Sequence, residues 1–388
     1  MANLRISWQA INARAAGTRR QIGGEDGETI EGFAAHTDSF LHSISRELRT
    51  GNFKFSPLRA VLIKKPNGKD RLICVPTVRD RVVQGALLGH LAKDNRYGLD
   101  NGVSFGFIRG QGVKKAALQA KCLRDKLPFA YKTDITSFFD NVPRSSLSAI
   151  LHRKITEKSL WPLLDSAMAC EVAQTTGQKQ RRIKALGVQV GKGVRQGMPL
   201  SPFFANLVLS PFDKEIIKHN FEMVRYADDL IFFSDSQSGC IQIHSFCKEE
   251  LMKLGLEIPE VSANGETKTQ IYLPDRPAEF LGVGLVPSTA GYRLEIMPSQ
   301  TESLKRDVLQ LANLDELVNR GIDITGFFRR LNSVIAGYEG SYHFCDNFGA
   351  LKDMLASLRT EVLQTLFSKG LGVRLSSLTQ KQRAFLKF

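Results

Sequence analysis

The sequence predicts an α+β fold of two or three subdomains, and three observations lead there. Short β-rich runs flank turn residues in two places, around 59–76 and 221–234. From residue 300 onward, apolar side chains recur at helical spacing. Of the 388 residues 43% are hydrophobic, ample for a sizeable core.

Taken in order, residues 1–52 read as an N-terminal extension. Its Gly- and acid-rich piece at 23–28 reads as a loop, and Phe33, Phe40, Leu41, Ile44 and Leu48 then follow a helical pattern. Residues 59–65 are β-rich, Pro66-Asn67-Gly68 is a turn sequence, and 71–76 returns, which predicts a basic hairpin. A helix is expected to start near Val78 and to include Gln84. Residues 129–134 look like a buried strand closed by Asp134. A second hairpin runs 221–226 and 230–234 around Ala227-Asp228-Asp229. Leu304, Val308, Leu311, Leu314 and Leu317 open the helical C-terminal stretch. No repeat, low-complexity tract or long linker divides the chain.

Lys plus Arg number 53 against 39 Asp plus Glu, a formal charge of +14, which favours a polyanionic partner such as nucleic acid. The six cysteines are scattered without a CxxC pair and the seven histidines are dispersed, so neither a zinc site nor a disulfide framework is expected. No apolar run approaches a membrane span and the start has no continuous apolar core. A cytoplasmic protein without membrane contact is the expectation.

The chemistry centres on acids. Asp134 ends an apolar strand, while Asp228 and Asp229 tip a hairpin between two apolar strands. If the two elements neighbour each other in one sheet, the carboxylates converge, which suits magnesium, a hard ion held by carboxylate oxygens. Two such ions serve nucleotide joining by activating the attacking hydroxyl and stabilising the leaving pyrophosphate. Paired aspartates alone are ordinary in turns, so their meaning depends on the surroundings. Lys64, Lys65, Lys69 and Arg71 on the first hairpin offer point cations and a bidentate donor for a triphosphate. Lys179, Arg181, Arg182, Lys184, Lys192 and Arg195 read either as a template track or as a solvated loop. Tyr97, Phe105 and Phe107, near Arg109, read as base-stacking or core residues.

In these blocks the chain resembles the reverse transcriptases, in family order. Tyr226-Ala227-Asp228-Asp229 is similar to the signature turn, and residues 132–140 to the block carrying the first catalytic aspartate, Asp134. Residues 193–202 resemble the block against template and incoming nucleotide. Leu254-Gly255-Leu256 with Lys268-Thr269 resembles the stretch after the turn, and Phe280-Leu281-Gly282 the primer-grip turn. The resemblance implies a right-hand polymerase: fingers at 53–128, palm at 129–144 and 193–299 with an antiparallel sheet backed by helices, an insertion at 145–192, and a helical thumb and tail at 300–388. It implies that Asp134, Asp228 and Asp229 are catalytic and bind two magnesium ions (manganese can substitute), with Ile135 in the metal set and Asp229 the outermost ligand.

For the nucleotide, the resemblance points to Lys65, Arg71, Phe139, Gln196, Gly197 and Lys268. Phe139 stands five after the first aspartate, beneath the incoming sugar, where an aromatic blocks a 2′-hydroxyl and selects deoxynucleotides. The other reading of Phe139 is core packing beside Phe138, since only one of two adjacent strand residues faces the core. Gly197 permits close backbone approach to a base pair, Gln196 bonds nucleotide or template, and Ser201-Pro202 opens a helix. Lys268 reads as a general acid on pyrophosphate or as a phosphate-contacting or solvent lysine.

Residues 327–343 resemble the thumb of bacterial enzymes related to group II introns. The retron Val-Thr-Gly element has no counterpart, and no nuclease or ribonuclease H-like domain is visible. The expectation is a stand-alone bacterial enzyme that works with a non-coding RNA in anti-phage defence, using an RNA template and dNTPs to make DNA. Alternatives are an intron-type maturase or RNA-binding scaffold, and an RNA-synthesising polymerase on the same palm.

Overall fold

The computed structural model describes residues 1–15, 23–64, 68–262 and 268–385. It opens with α1 (Ala2–Ala15), α2 (Ile30–Ala35) and α3 (Thr37–Thr50). The single helical pattern from Phe33 to Leu48 is thus two helices. Thr29 caps α2, its hydroxyl accepting from the Gly32 N–H at 3.0 Å, and His36 leaves helical geometry before α3 begins. Of the expected side chains Phe33, Leu41 and Ile44 are buried and Phe40 and Leu48 half-buried, with the Phe33 ring 4.6 Å from that of Trp8.

The basic hairpin forms from β1 (Arg59–Lys64) and β2 (Asp70–Val75), antiparallel, with Lys64 opposite Asp70. Lys65, Pro66 and Asn67 lie outside the described residues. Next, α4 (Val78–Leu91) starts where Thr77 accepts the Asp80 N–H at 3.1 Å, and α5 (Val113–Lys126) leads to β3 (Phe129–Asp134). Beyond β3 the strand does not continue. Ser137 takes a left-handed φ of 44°, and the one-turn α6 (Phe138–Asn141) follows. Strand alternation therefore does not apply to Phe138 and Phe139, and both are buried.

Helices α7 (Arg144–Lys154), α8 (Trp161–Met168), α9 (Gly177–Ala185) and α10 (Ser201–Lys218) come next, the last opening with Pro in its first turn as expected. The second hairpin is β4 (Glu222–Tyr226) and β5 (Asp229–Ser234), followed by α11 (Gln237–Lys253). Strands β6 (Gln270–Tyr272), β7 (Ala278–Phe280), β8 (Val283–Ser288) and β9 (Gly291–Glu295) precede α12 (Pro298–Leu309), α13 (Leu314–Asn319), α14 (Ile324–Tyr342), α15 (Phe348–Thr365) and α16 (Gln380–Phe385). Besides the β1-β2 ribbon there are a sheet of order β4-β5-β3-β6 and a sheet of order β7-β8-β9.

The chain divides into two compact units. One comprises Met1–Gly112, Tyr131–Phe232 and Ser238–Gln270; the other comprises Val113–Ala130, Phe233–Gln237 and Ile271–Phe388. The core of the first is α10, whose Phe204, Leu207, Val208 and Phe212 are almost fully buried, together with Leu230, Ile231 and Phe232 of β5. In the second, Leu304, Val308, Phe327, Leu331, Leu355 and Val362 are buried from three helices, α12, α14 and α15. Its buried Arg124 donates to the carbonyls of Leu285 (2.8 Å), Leu273 (3.0 Å) and Arg276 (2.6 Å), and lies over the Tyr292 ring. No helix among the described residues is long and apolar enough to cross a membrane.

Candidate active site

The β4-β5 turn is tight because Ala227 adopts φ 58°, a left-handed conformation that costs a non-glycine residue roughly 1–2 kcal/mol. The Ile135 N–H donates to the Asp228 carbonyl at 3.2 Å, which joins the end of β3 to this turn. The Thr133 and Thr269 hydroxyls share a buried 2.7 Å hydrogen bond, and the Lys268 ammonium beside Thr269 donates to Asp134 at 2.5 Å. Asp134, Asp228, Asp229 and Lys268, widely spaced in sequence, are thereby gathered.

Electrostatics follow from that gathering. Burial pushes the Asp228 carboxyl above the ordinary carboxylate range, and the charges of Asp229 and Asp134 add to the shift. Asp229 is also raised, chiefly by burial, with Lys132 and Lys268 opposing. Pairing with Asp134 raises Lys268 above the ordinary lysine value. Partly buried carboxylates raised by burial and by neighbouring acids are short of positive charge.

This donor set fits a hard divalent ion in kind and in charge. Among the described residues no three His, Cys, Asp or Glu side chains stand close enough to hold an ion together in the present arrangement. The Asp134 carboxylate is engaged by Lys268 instead.

A second group forms around Gln196. Its carbonyl accepts the Cys74 N–H at 2.7 Å, and its side-chain oxygen accepts from Arg71 Nε at 2.8 Å. Gly197 has φ 110°, and a Cβ there would lie 2.4 Å from the Cys74 carbonyl oxygen, so only glycine fits. The neighbouring Val194 N–H donates to the Phe139 carbonyl at 2.7 Å, which ties the block to α6. Arg71, Phe139, Gln196 and Gly197 thus belong to one connected structure. Lys65 lies outside the described residues. Phe280-Leu281-Gly282 is the β7-β8 turn of the other unit, with Leu281 and Gly282 both at positive φ.

The basic cluster separates into parts. Lys179, Arg181 and Lys184 are exposed on α9, whereas Arg182 pairs with both oxygens of Asp70 at 2.8 and 2.7 Å. That hydrogen-bonded pairing, with help from Lys64, holds the Asp70 carboxyl at about 2. Arg195 is neither a template contact nor solvated: it is buried and bound to Glu171, which also accepts from Arg144. Tyr97 and Phe105 are core residues, while Phe107 is exposed at φ 60°, its ring 6.1 Å from Tyr226. A cavity of about 620 Å³ lies beside Phe107 and Gly197, lined also by Arg14, Arg109 and Asn206.

Sequence reading overlooked Asn206, Asp213 and Arg225, which are buried together under the signature turn. A partial signal was present: Asn206 falls inside the apolar run 203–209, and Arg225 follows Met223-Val224 on an expected apolar strand.

Residues 63–285 match the family model described as reverse transcriptase (RNA-dependent DNA polymerase). The chain is 29% identical over 203 residues to protein YkfC of Escherichia coli, covering 49% of each. It is 25% identical over 224 residues to the COX1/OXI3 intron 2 protein of Saccharomyces cerevisiae, covering 57% of this chain and 24% of that one. It therefore spans half or less of the length of these relatives. Among solved structures, it is similar to apo telomerase from Candida tropicalis (16% identity, TM-score 0.44, 67% of this chain and 60% of that one). Telomerase from Candida albicans with a fragment of telomeric RNA is similar at 13% identity and TM-score 0.42, covering 92% and 70%. With the family model matching more than half of its length around the gathered aspartates, the chain belongs to the reverse transcriptases, in the α+β class of right-hand polymerases.

Proposed function

We propose that the protein is an RNA-directed DNA polymerase that joins dNTPs to a primer end, with Asp134, Asp228, Asp229 and the Ile135 carbonyl holding two magnesium ions. The observation that carries this reading is the convergence of Asp134 with the Asp228-Asp229 turn through the Ile135–Asp228 hydrogen bond. Magnesium supplies activation of the primer hydroxyl and stabilisation of the leaving pyrophosphate.

The chain's own residues do the rest. Lys65 and Arg71 neutralise the triphosphate, with Arg71 held in place by Gln196. With Asp134 engaged by a bound ion, Lys268, now paired with that carboxylate, would be released to contact the phosphate chain. Phe139 excludes a 2′-hydroxyl, and the exposed Phe107 beside the cavity offers a stacking surface to template bases. Phe280, Leu281 and Gly282 hold the primer end.

Primer extension on an RNA template tests this. Extension with dNTPs, lost when Asp228→Ala and Asp229→Ala are combined, is the expected result; a preference for NTPs, or indifference to the double substitution, overturns it. The narrower reading adds a partner non-coding RNA and an anti-phage role in the cytoplasm, which rests on resemblance to stand-alone bacterial enzymes. Sequencing the nucleic acid that co-purifies with the chain, and phage plating with the double variant, test that part. An intron maturase or scaffold is the second reading, favoured by the intron proteins among the relatives. It predicts that cellular function survives loss of both aspartates.

A further inference from the structure

The side chains under the signature turn are polar, charged and sealed from solvent. Arg225 sits on β4 directly after the core residues Met223 and Val224 and is itself fully buried. Its Nε and Nη2 donate to the two carboxylate oxygens of Asp213 on α10, at 2.7 and 2.5 Å. Its Nη1 donates to Asn206 Oδ1 at 3.0 Å and to the Ala227 carbonyl at 3.2 Å. Asn206 in turn donates to the Gly106 carbonyl at 2.9 Å, and Asn101 donates to Asp213 at 3.0 Å.

Backbone contacts close the same knot. The Arg225 N–H donates to the Val103 carbonyl, and the Phe105 N–H donates to the Arg225 carbonyl, both at 2.8 Å. A Cβ on Gly106 would stand 2.4 Å from the Ala227 nitrogen, so this stretch lies directly on the turn.

Stability alone does not account for such a cluster, because a buried ion pair is often matched or bettered by apolar residues of the same volume. Its geometry offers another account. A guanidinium is planar and rigid, with donors in fixed directions. Here one edge is locked on Asp213, and the remaining nitrogen reaches the carbonyl of Ala227, the residue whose left-handed φ makes the turn. Holding that carbonyl holds the peptide plane that leads into Asp228.

We propose that Asp213, Arg225 and Asn206 form a positioning device that sets the Ala227–Asp228 peptide and so directs the Asp228 carboxylate toward Asp134. None of the three touches a reacting atom. The proposal rests on the reading of these aspartates as metal ligands, and the test separates the two ideas.

The decisive variant combines Arg225→Met with Asp213→Leu in the full chain, replacing the ion pair by apolar groups of similar volume. Arg225→Lys is the companion: it keeps the charge but, lacking the fork, cannot hold Asp213 and the Ala227 carbonyl together. Manganese binding is read by electron paramagnetic resonance without substrate, and primer extension is split into kcat and KM. Both variants should bind manganese roughly 10–100-fold more weakly and lose kcat by a similar factor. KM for dNTP should change less than about threefold, while the thermal midpoint of the folded double variant stays near that of the parent.

A merely structural role predicts instead that manganese affinity and kcat are unchanged in whichever variant folds, and that result overturns the proposal. If the double variant unfolds, Arg225→Lys decides by the same readouts. Parent manganese binding that ignores Asp228→Ala with Asp229→Ala overturns the metal reading itself. Binding that needs those aspartates but not Arg225 overturns only the positioning role.

Discussion

The acid turn and the basic hairpin lie in the same unit of the molecule and handle charge in opposite ways. At the turn, Asp228 and Asp229 are half-buried and both raised chiefly by burial. The Asp229 and Asp134 charges also raise Asp228, and Asp134 raises Asp229, with Lys268 and Lys132 as the opposing charges. On the hairpin, Arg71 is exposed and lightly tethered to Gln196, and Asp70 is doubly paired by Arg182 and Lys64. The contrast teaches a division of labour. On the proposed reading, the charge at the turn would be met by a cation that takes part in the chemical step, whereas the hairpin would present exchangeable contacts suited to binding.

Substitutions that act on kcat in one region and KM in the other sharpen this contrast. The largest effect belongs to the turn. Asp228→Asn should lower kcat about 10³-fold or more in primer extension. In metal-free buffer at neutral pH the same change should raise the melting temperature by about 2–4 °C, because it removes a buried charge without a full partner. A drop in melting temperature would break the comparison on the acid side.

Next in size is the sugar contact proposed for Phe139. Phe139→Val should raise the use of NTPs relative to dNTPs by roughly 10–100-fold, read from kcat/KM on one template, since a clash is removed rather than a contact added. Smaller still, Arg71→Ala should raise KM for dNTP about tenfold with kcat within about threefold, as expected for loss of uniform binding. An equal fall in kcat would place the hairpin in the chemical step and erase the distinction.

The smallest effect concerns Arg182→Ala, expected to change KM by about twofold. It also has a pH signature. In the parent, Asp70 keeps its charge until the pH falls to about 2, so its pairing contributes above the ordinary carboxylate pKa and is lost as pH falls through about 2. Without Arg182 the carboxyl should titrate closer to the ordinary 3.8, which a carboxyl NMR titration resolves.

Local elements were legible because they depend on near neighbours in the chain. Strand β3, both hairpins, the Thr77-capped start of α4 and the Ser201-Pro202 opening of α10 all agree with the sequence reading. Its failures have physical causes. The break at His36 and the left-handed Ser137 interrupt apolar patterns that otherwise continue. Arg195 was read as a surface cation since nothing nearby in sequence announces Glu171 as its partner. Arg225 and Asp213 went unread for the same reason, although a charge directly after Met223-Val224 on an apolar strand was visible.

By itself, then, the sequence determined which side chains carry charge, where strands and turns fall, and that Asp134 and the Asp228-Asp229 pair end apolar strands. Only the tertiary structure decided that Lys268 holds Asp134, that Arg71 leans on Gln196, and that Arg225 is locked on Asp213. Burial and Coulomb interaction depend on distance through space, and residues 12 to 134 positions apart acquire that distance only when the chain folds.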